Sequence, residues 1–415
     1  MDDDDSHSQD GSSANATAEP DLGFALAEWE GLQDRSAEEI AAEAIADPRL
    51  ALSGYAGLRA GFEARLEARW GRALDLADLA VHNAFVCGGW VNELLRTEPH
   101  QDHKFEALIR LHGKAVLTAR EVMVLLRSGY SSGAMARWRT LYEVWVVFEL
   151  LAEGDDELNR RYLAHNDVES LKAQKDYEET WEALGYDPPD WDAAERKEAQ
   201  MELAKAFGKD FLNDYGWAAK LLNKPRPTLR DLRERAGLDP WRGFYRLASH
   251  GTHANPKGTT WNIQGDEPYD IIWASPSNSG LVDPAQCSLI ALAGVNAGLL
   301  AYAARELPDS EDHLLLLHTA AVRQKVILIF NDHAIKAFVE VNAQMEAEEE
   351  AMTGLIGQAA TFLQRGAPMT AESLAAELEV DPDDLEDALS AAVERGMLFQ
   401  ETRYRVWNDG SETPQ

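Results

Sequence analysis

From Gly133 to Leu151 the chain reads GAMARWRTLYEVWVVFELL, a helix-length run with almost no polar face. Met135, Trp138, Leu141, Tyr142, Trp145, Val146, Val147, Phe148, Leu150 and Leu151 point in nearly every direction around it. The pattern therefore predicts a helix packed on most of its sides. Arg139 and Glu143 break the run, one turn apart, with Ala136, Val146 and Leu150 along the same stripe. Burying such a pair costs several kcal/mol per ion before pairing offsets it. The order Arg then Glu also supports a helix less well than the reverse. A charged pair placed there is a candidate site.

The flanking patterns predict more helices. Ser36-Ala-Glu-Glu39 is a capping box opening a helix that runs toward Pro48. Tyr55–Arg96 carries helical spacing through Leu58, Phe62, Leu66, Trp70 and Leu74, with Gly88-Gly89 as a candidate kink. Phe105, Leu108, Ile109, His112, Val116, Ala119, Val122, Met123 and Leu126 form one face of an amphipathic helix. The turn at Arg127–Gly133 is short enough to fold that helix antiparallel to the apolar one. Helices are expected at Asp156–Leu184, at Asp192–Leu222 and, shorter, at Leu229–Ala236. Another starts at Asp239-Pro-Trp-Arg242, with Asp239 as cap and Pro240 at the first helical position. Residues 254–284 are rich in Gly, Pro, Asn and Ser and read as an irregular loop, with a short extended piece at Tyr269–Trp273. Two apolar helices, about Pro284–Arg305 and Ser310–Glu350, close an all-α core. Ala351–Arg365, Thr370–Glu379 and Pro382–Arg395 then read as three helices, and Met397–Trp407 as two short strands around a tight turn.

Composition divides the chain further. Residues 1–21 hold seven acids and no Lys or Arg, and their lack of large apolar side chains predicts disorder. The expected organisation is a tail at 1–21, a helical core at 22–350, a small domain at 351–408 and a disordered end at 409–415. Net charge is -33, of which about -18 belongs to the middle once 1–21 and 352–415 are set aside. That balance opposes phosphate-backbone binding, which needs cations to release counterions. With Arg about twice as common as Lys, it suits a high-salt cytoplasm or a GC-rich genome. Only Cys87 and Cys287 occur, so no disulfide framework is implied and a reducing cytoplasm is the expected location. The apolar run Ser288–Tyr302 is short for a bilayer, and Leu314–Phe330 is interrupted by Arg323, Gln324 and Lys325.

Two resemblances follow from motifs. Three helices and a hairpin resemble a winged-helix domain, through Ser373-Leu-Ala-Ala-Glu-Leu, Leu385-Glu-Asp-Ala-Leu and Arg395-Gly-Met-Leu398. By that resemblance Pro382–Arg395 is the recognition helix, yet its exposed positions include Asp383, Asp384, Glu386, Asp387 and Glu394. Such a helix repels a phosphate backbone, so protein docking or self-association is the expected role, with a homodimer as one form. In the core, Arg139-Thr-Leu-Tyr-Glu143 is followed about a hundred residues later by Tyr245-Arg-Leu-Ala-Ser249-His-Gly-Thr-His253. With the small-residue turn Ser128–Ala134, this resembles the microbial family called domain of unknown function 5677 over roughly residues 100–305. The resemblance implies a helical fold and no particular activity. It singles out Arg139, Glu143, Ser249 and His253.

These residues admit two chemistries. Arg139, Arg246 and His250 are the candidate binding residues, with Arg139 as an anion anchor. Glu143, Ser249 and His253 are the candidate acid, base or nucleophile. Arg246 and His253 also form an Arg-x6-His spacing that resembles metal-independent ribonucleases of the HEPN class, although Leu247 stands where a polar residue is usual. His250 with His253, and His100 with His103, have metal-pair spacing but no complementary ligand cluster. No glycine loop for phosphates is present. The expectation is a ligand- or protein-binding sensor or adaptor with no metal or cofactor; a ribonuclease-like defence component and a winged-helix regulator are the alternatives.

Overall fold

A computed structural model describes residues 35–96, 102–187, 191–254, 256–260, 263–264, 271–272, 274–307, 311–365, 370–394, 398–400 and 404–406. The expected tails at 1–21 and 409–415 lie outside the described residues, as does His100. The described residues up to Phe62 group as one compact unit and those from Glu63 onward as a second. In the first, α1 (Ala37–Ala46) opens with both bonds of the Ser36–Glu39 capping box, and Asp47 caps α2 (Pro48–Ala51). Helix α3 (Ser53–Leu95) begins there.

In the second unit α3 continues beside α4 (His103–Arg127), whose Arg127 donates to Asp78 on α3, and α5 (Ser131–Glu153) follows. The link between α4 and α5 turns at Gly129, whose φ of 75° is the left-handed value that glycine takes without penalty. Then come α6 (Asp156–Ala183), α7 (Ala193–Phe207), α8 (Ala219–Leu222), α9 (Leu229–Arg235), α10 (Arg242–Thr252) and α11 (Pro256–Thr260). Strands β1 (Ile263–Gln264) and β2 (Ile271–Ile272) pair antiparallel before the long helices α12 (Val282–Glu306) and α13 (His313–Arg365).

The core lies where α5 meets α4, α12 and α10. Trp138, Leu141, Tyr142, Val146, Phe148 and Leu151 are all fully buried, as the apolar pattern of α5 requires. Packing against α12 is close because two glycines leave room for two aromatic rings. A Cβ on Gly294 would stand 2.4 Å from Trp145 Nε1, and one on Gly298 would stand 2.5 Å from Phe148 Cε1. Of the pair Gly88-Gly89, Gly88 has a related purpose. Helix α3 runs through it without a break, and a Cβ on Gly88 would lie 2.5 Å from the His112 ring. That ring is buried and its Nε2 lies 3.2 Å from Asn296 Oδ1, while Asn296 donates to Gln324 at 3.0 Å. One polar chain thus ties α4, α12 and α13 together inside the core.

Several expected boundaries change. The helix expected at Asp192–Leu222 ends at Phe207, because Gly208 (φ 91°) turns the chain into two 3-10 turns, Lys209–Leu212 and Gly216–Ala218. Asp239 does not cap α10. It lies in a 3-10 turn, Asp239–Trp241, and its carboxylate accepts instead from Arg233 Nε at 3.0 Å. The irregular loop of 254–284 contains α11 and the β1–β2 pair. Helix α13 runs from His313 to Arg365 without stopping at residue 350, since nothing in Glu346–Gly354 breaks a helix outright. Its far end packs with α14 (Ala371–Leu378), capped by Thr370, and α15 (Pro382–Glu394) around Ile356, Leu374, Leu385 and Leu389. Strands β3 (Leu398–Gln400) and β4 (Tyr404–Val406) pair antiparallel.

Two helices, Val282–Glu306 and His313–Ala359, are long and apolar enough by composition to cross a membrane. The apolar run Ser288–Tyr302 belongs to a helix of 25 residues, longer than the run itself. Two-thirds of its most apolar window is buried inside the protein, whereas only 11% of the corresponding window in α13 is buried.

The glycine packing predicts opposite signs at two kinds of site. Gly294→Ala and Gly298→Ala should each cost about 1–3 kcal/mol through overpacking. Gly354→Ala, with no atom within 4 Å of the added Cβ, should stabilise by about 0.5–1 kcal/mol. Urea unfolding of the three variants checks the signs; a neutral result at Gly294 would mean that α5 and α12 do not approach closely.

Burial lowers the His112 pKa to about 4 from an ordinary 6.5, against the opposing effect of Asn296. The unfolded chain then binds this proton more readily, so stability is fully present above about pH 6.5. It falls as pH drops toward 4, by up to about 3 kcal/mol for this group. Melting temperature against pH should therefore fall less steeply in His112→Gln than in the parent between pH 6.5 and 4. Equal slopes would refute it.

Candidate functional site

Arg139 and Glu143 sit one turn apart on α5, on the side that α10 covers. Helix α10 is held there by its own anchors. Ala248 is fully buried, and the Tyr245 ring lies 5.5 Å from that of Tyr142. Tyr142 in turn donates to Leu238 O at 2.8 Å, fixing the chain just before α10 begins. Tyr245 therefore enters the site from a braced position.

Its hydroxyl is the centre of the arrangement. Tyr245 Oη donates to Glu143 Oε1 at 2.8 Å and accepts from Arg139 Nε at 2.9 Å, while Arg139 Nε also reaches Glu143 Oε1 at 3.2 Å. The Arg139 guanidinium stands 4.8 Å from the Tyr245 ring centre, within cation–π range. Arg233, paired with Asp239, lies 6.0 Å from the same ring. Hydrogen bonds to charged groups are the strong kind, and here three groups share them.

The electrostatics follow from this closure. Burial first, then the hydrogen bond to the Glu143 carboxylate, pushes the Tyr245 hydroxyl up to about 12, so it is a donor at neutral pH. Burial works against the Arg139 charge, but Tyr245 and Glu143 outweigh it and hold the guanidinium more firmly protonated. Tyr215 feels the same charges: burial, then Glu143, raises its hydroxyl pKa. Tyr215 also has φ 52°, a left-handed backbone that an aromatic residue seldom adopts.

The Arg139–Glu143 pair is less buried than the apolar pattern of α5 implies. The two side chains retain 26% and 34% of their exposure, because α10 covers the pair only in part. The pair is thus accessible to a ligand without a large rearrangement.

The remaining candidates lie along α10 in different settings. Ser249 Oγ donates to Tyr245 O at 2.8 Å, a bond within its own helix, and so steadies the turn that carries Tyr245. Arg246 is exposed. His253 is the exposed C-cap of α10, in extended backbone, and His250 is half-buried on the last turn. The bonds of Glu143 go to Arg139 and Tyr245, and none of those in the triangle involves Arg246, Ser249 or His253. Among the described residues no three His, Cys, Asp or Glu side chains gather as metal ligands. His103 instead opens α4 with Nδ1 2.9 Å from Asp156 Oδ2.

Tyr245 is the functional residue that the spacing of charges alone does not reveal. Its signal in the sequence is a tyrosine at the head of the second motif, four residues before Ser249. Tyr215 carries no such signal, since only the turn after Gly208 brings it near α5.

No curated protein and no solved structure matches this chain significantly. Likeness to a family is confined to the stretch from the first turn of α4 to the residue before β2, taking in both motif helices and ending ahead of α12. Residues 105–270 match the model of a family described as a family of unknown function, DUF5677.

Proposed function

We propose that the chain is a non-catalytic, ligand-binding sensor or adaptor, with the Arg139–Tyr245–Glu143 triangle as its binding site. The observation that carries this reading is the way the triangle spends its atoms. Both bonds of Arg139 leave from Nε, and both bonds to Glu143 end on Oε1. Among the described residues the two Nη amines and Oε2 have no other partner, and they are left for a ligand. A planar donor fork beside a carboxylate acceptor suits a small planar molecule that offers a carbonyl or carboxylate next to an N–H. Amides and nucleobase edges have that form.

Catalysis finds less support. Ser249 is bonded to its own helix and His253 lies at the exposed helix end, so neither forms a nucleophile–base pair with Glu143. The ribonuclease reading would use Arg246 and His253, both solvent-accessible, and it is the alternative. The acidic chain opposes an RNA substrate. For 351–408 we favour docking of a protein partner or self-association, in a cytoplasmic setting. The small core of α13, α14 and α15 supports a packed module there, and the winged-helix likeness belongs to this proposal.

The decisive variant is Arg139→Leu with Glu143→Met. It should fold with a melting temperature within a few degrees of the parent, since a partly exposed pair contributes about 1 kcal/mol or less. It should also lose binding of any amide or nucleobase that shifts the parent's melting temperature. A variant that folds and still binds such a ligand normally would make the pair structural only.

The full chain should bind mixed-sequence duplex DNA weakly at modest salt, because Asp383, Asp384, Glu386 and Asp387 on α15 repel phosphates. Fluorescence anisotropy reads this directly. Submicromolar, salt-sensitive binding would favour a transcription regulator over the adaptor.

A further inference from the structure

We propose that the cavity bounded by α6, the end of α7 and α8 binds the phosphate group of a small phosphorylated metabolite. The cavity measures about 320 Å³ and is lined by Arg161 from α6, Phe207 and Gly208 at the end of α7, and Lys220, Asn223 and Lys224. Ligand pockets begin at about this size, enough for a phosphate and a few carbons. Three cations face one acid here, Asp210. This site shares no residue with the Arg139 triangle.

Arg161 carries most of the argument. It is only 6% exposed, and its three hydrogen bonds all end on backbone carbonyls, of Trp217 (3.2 Å), Phe207 (3.1 Å) and Gly216 (3.4 Å). The acid whose charge acts on it, Glu157, is itself bonded to Arg160 at 2.8 Å. Burial accordingly pulls the Arg161 pKa down, as expected of a cation short of a counter-charge. A buried charge without an ionic partner is costly, and an anion in the cavity would supply one. Guanidinium has five N–H donors, so two remain beyond those given to carbonyls. Lys220 is exposed and makes no ion pair among the described residues, while Lys224 holds Asp231 at 2.7 Å.

The backbone is shaped to suit. Gly208 (φ 91°) and Asn223 (φ 48°) both line the cavity in left-handed conformations, and Tyr215 (φ 52°) lies between them in sequence. Gly208 adopts this φ without penalty, whereas at Asn223 and Tyr215 it is strain of the kind that gathers at ligand clamps. No atom lies within 4 Å of a Cβ built on Gly208, so the wall there is open space. The charge pattern agrees. Residues 205–235 hold eight Lys or Arg against four Asp or Glu, in a chain whose net charge is -33. A local positive field in a negative protein focuses anions onto one place. The Phe207 ring is already in contact with Phe211 at 4.4 Å and with the Arg160 and Arg161 guanidiniums at 4.6 and 5.5 Å, so it braces the wall and is a poor stacking platform for a base. The occupant is therefore a small phosphate monoester and not a nucleotide held by stacking.

Calorimetric titration of the full chain tests this, using inorganic phosphate and glycerol 3-phosphate at constant ionic strength with acetate as the monovalent control. Saturable binding of the phosphates but not of acetate is expected. Lys220→Glu should weaken it at least tenfold without changing the melting temperature in the absence of anion. Lys325→Glu, on α13, should leave it unchanged. If the Glu variant does not fold, Lys220→Ala at the same exposed position should still weaken binding at least threefold. Tighter binding of glycerol 3-phosphate than of phosphate assigns the organic ester as occupant, and the reverse assigns the free ion. No saturable binding, or equal binding by a folded Lys220 variant, would overturn the proposal.

Discussion

Helix α5 has to be covered on nearly every side, and the depth to which its aromatic rings sink into α12 sets the spacing of the core. Trp145 and Phe148 occupy the space that side chains on Gly294 and Gly298 would fill. Glycine costs about 0.5–1 kcal/mol in a helix interior relative to alanine. The large area that two aromatic rings bury at such close contact offsets that cost. The same device recurs at Gly88, where α3 gives way to the ring of His112. Ring-on-glycine contacts thus bring two pairs of helices, α5 with α12 and α3 with α4, closer than ordinary side chains would allow.

Close approach also explains why polar groups survive in this interior. His112, Asn296 and Gln324 satisfy one another in a chain of hydrogen bonds from α4 to α13, and Asn331 donates to Leu289 O at 2.9 Å. Each bond contributes modestly, but an unpaired buried group would cost more than a bond gains. These contacts select one register for the long helices, which an apolar interface alone specifies less sharply. Helix α10 then lies on the remaining flank of α5 with its tyrosine over the charged pair. The geometry of the candidate site is a by-product of how the core is closed.

Charge is distributed against this background with a purpose that composition hides. The chain as a whole is strongly acidic, yet Arg139, Arg233 and Arg161 are each placed on the α5 flank or beside the turn following α7. Arg139 and Arg233 have carboxylate partners, Glu143 and Asp239, and both lie near the Tyr245 ring. Arg161 hydrogen-bonds only to carbonyls and stands beside the Phe207 and Phe211 rings, with no carboxylate paired to it among the described residues. The contrast separates a balanced polar site from one that still calls for an anion.

Local pattern determined much of this protein. The periodicity of α3, α4, α5 and α6, the Ser36 and Thr370 caps, and the turn before α5 were all legible, because each depends on residues a few positions apart. The charged pair on α5 was legible for the same reason. What could not be read were events that depend on a neighbour distant in sequence. Helix α7 stops at Gly208, a residue that a helix tolerates elsewhere in this chain, as at Gly354. The half-open state of Arg139 and Glu143 depends on how much of α5 is covered by α10, which hydropathy along α5 does not encode. Tyr245 and Tyr215 reach the pair from about 100 and about 70 residues away, and Arg161 meets its carbonyl partners across a turn that forms only after α7 ends. Secondary structure here is a property of short segments. The sites belong to tertiary packing, since charges and hydroxyls interact only where the core has already brought their helices together.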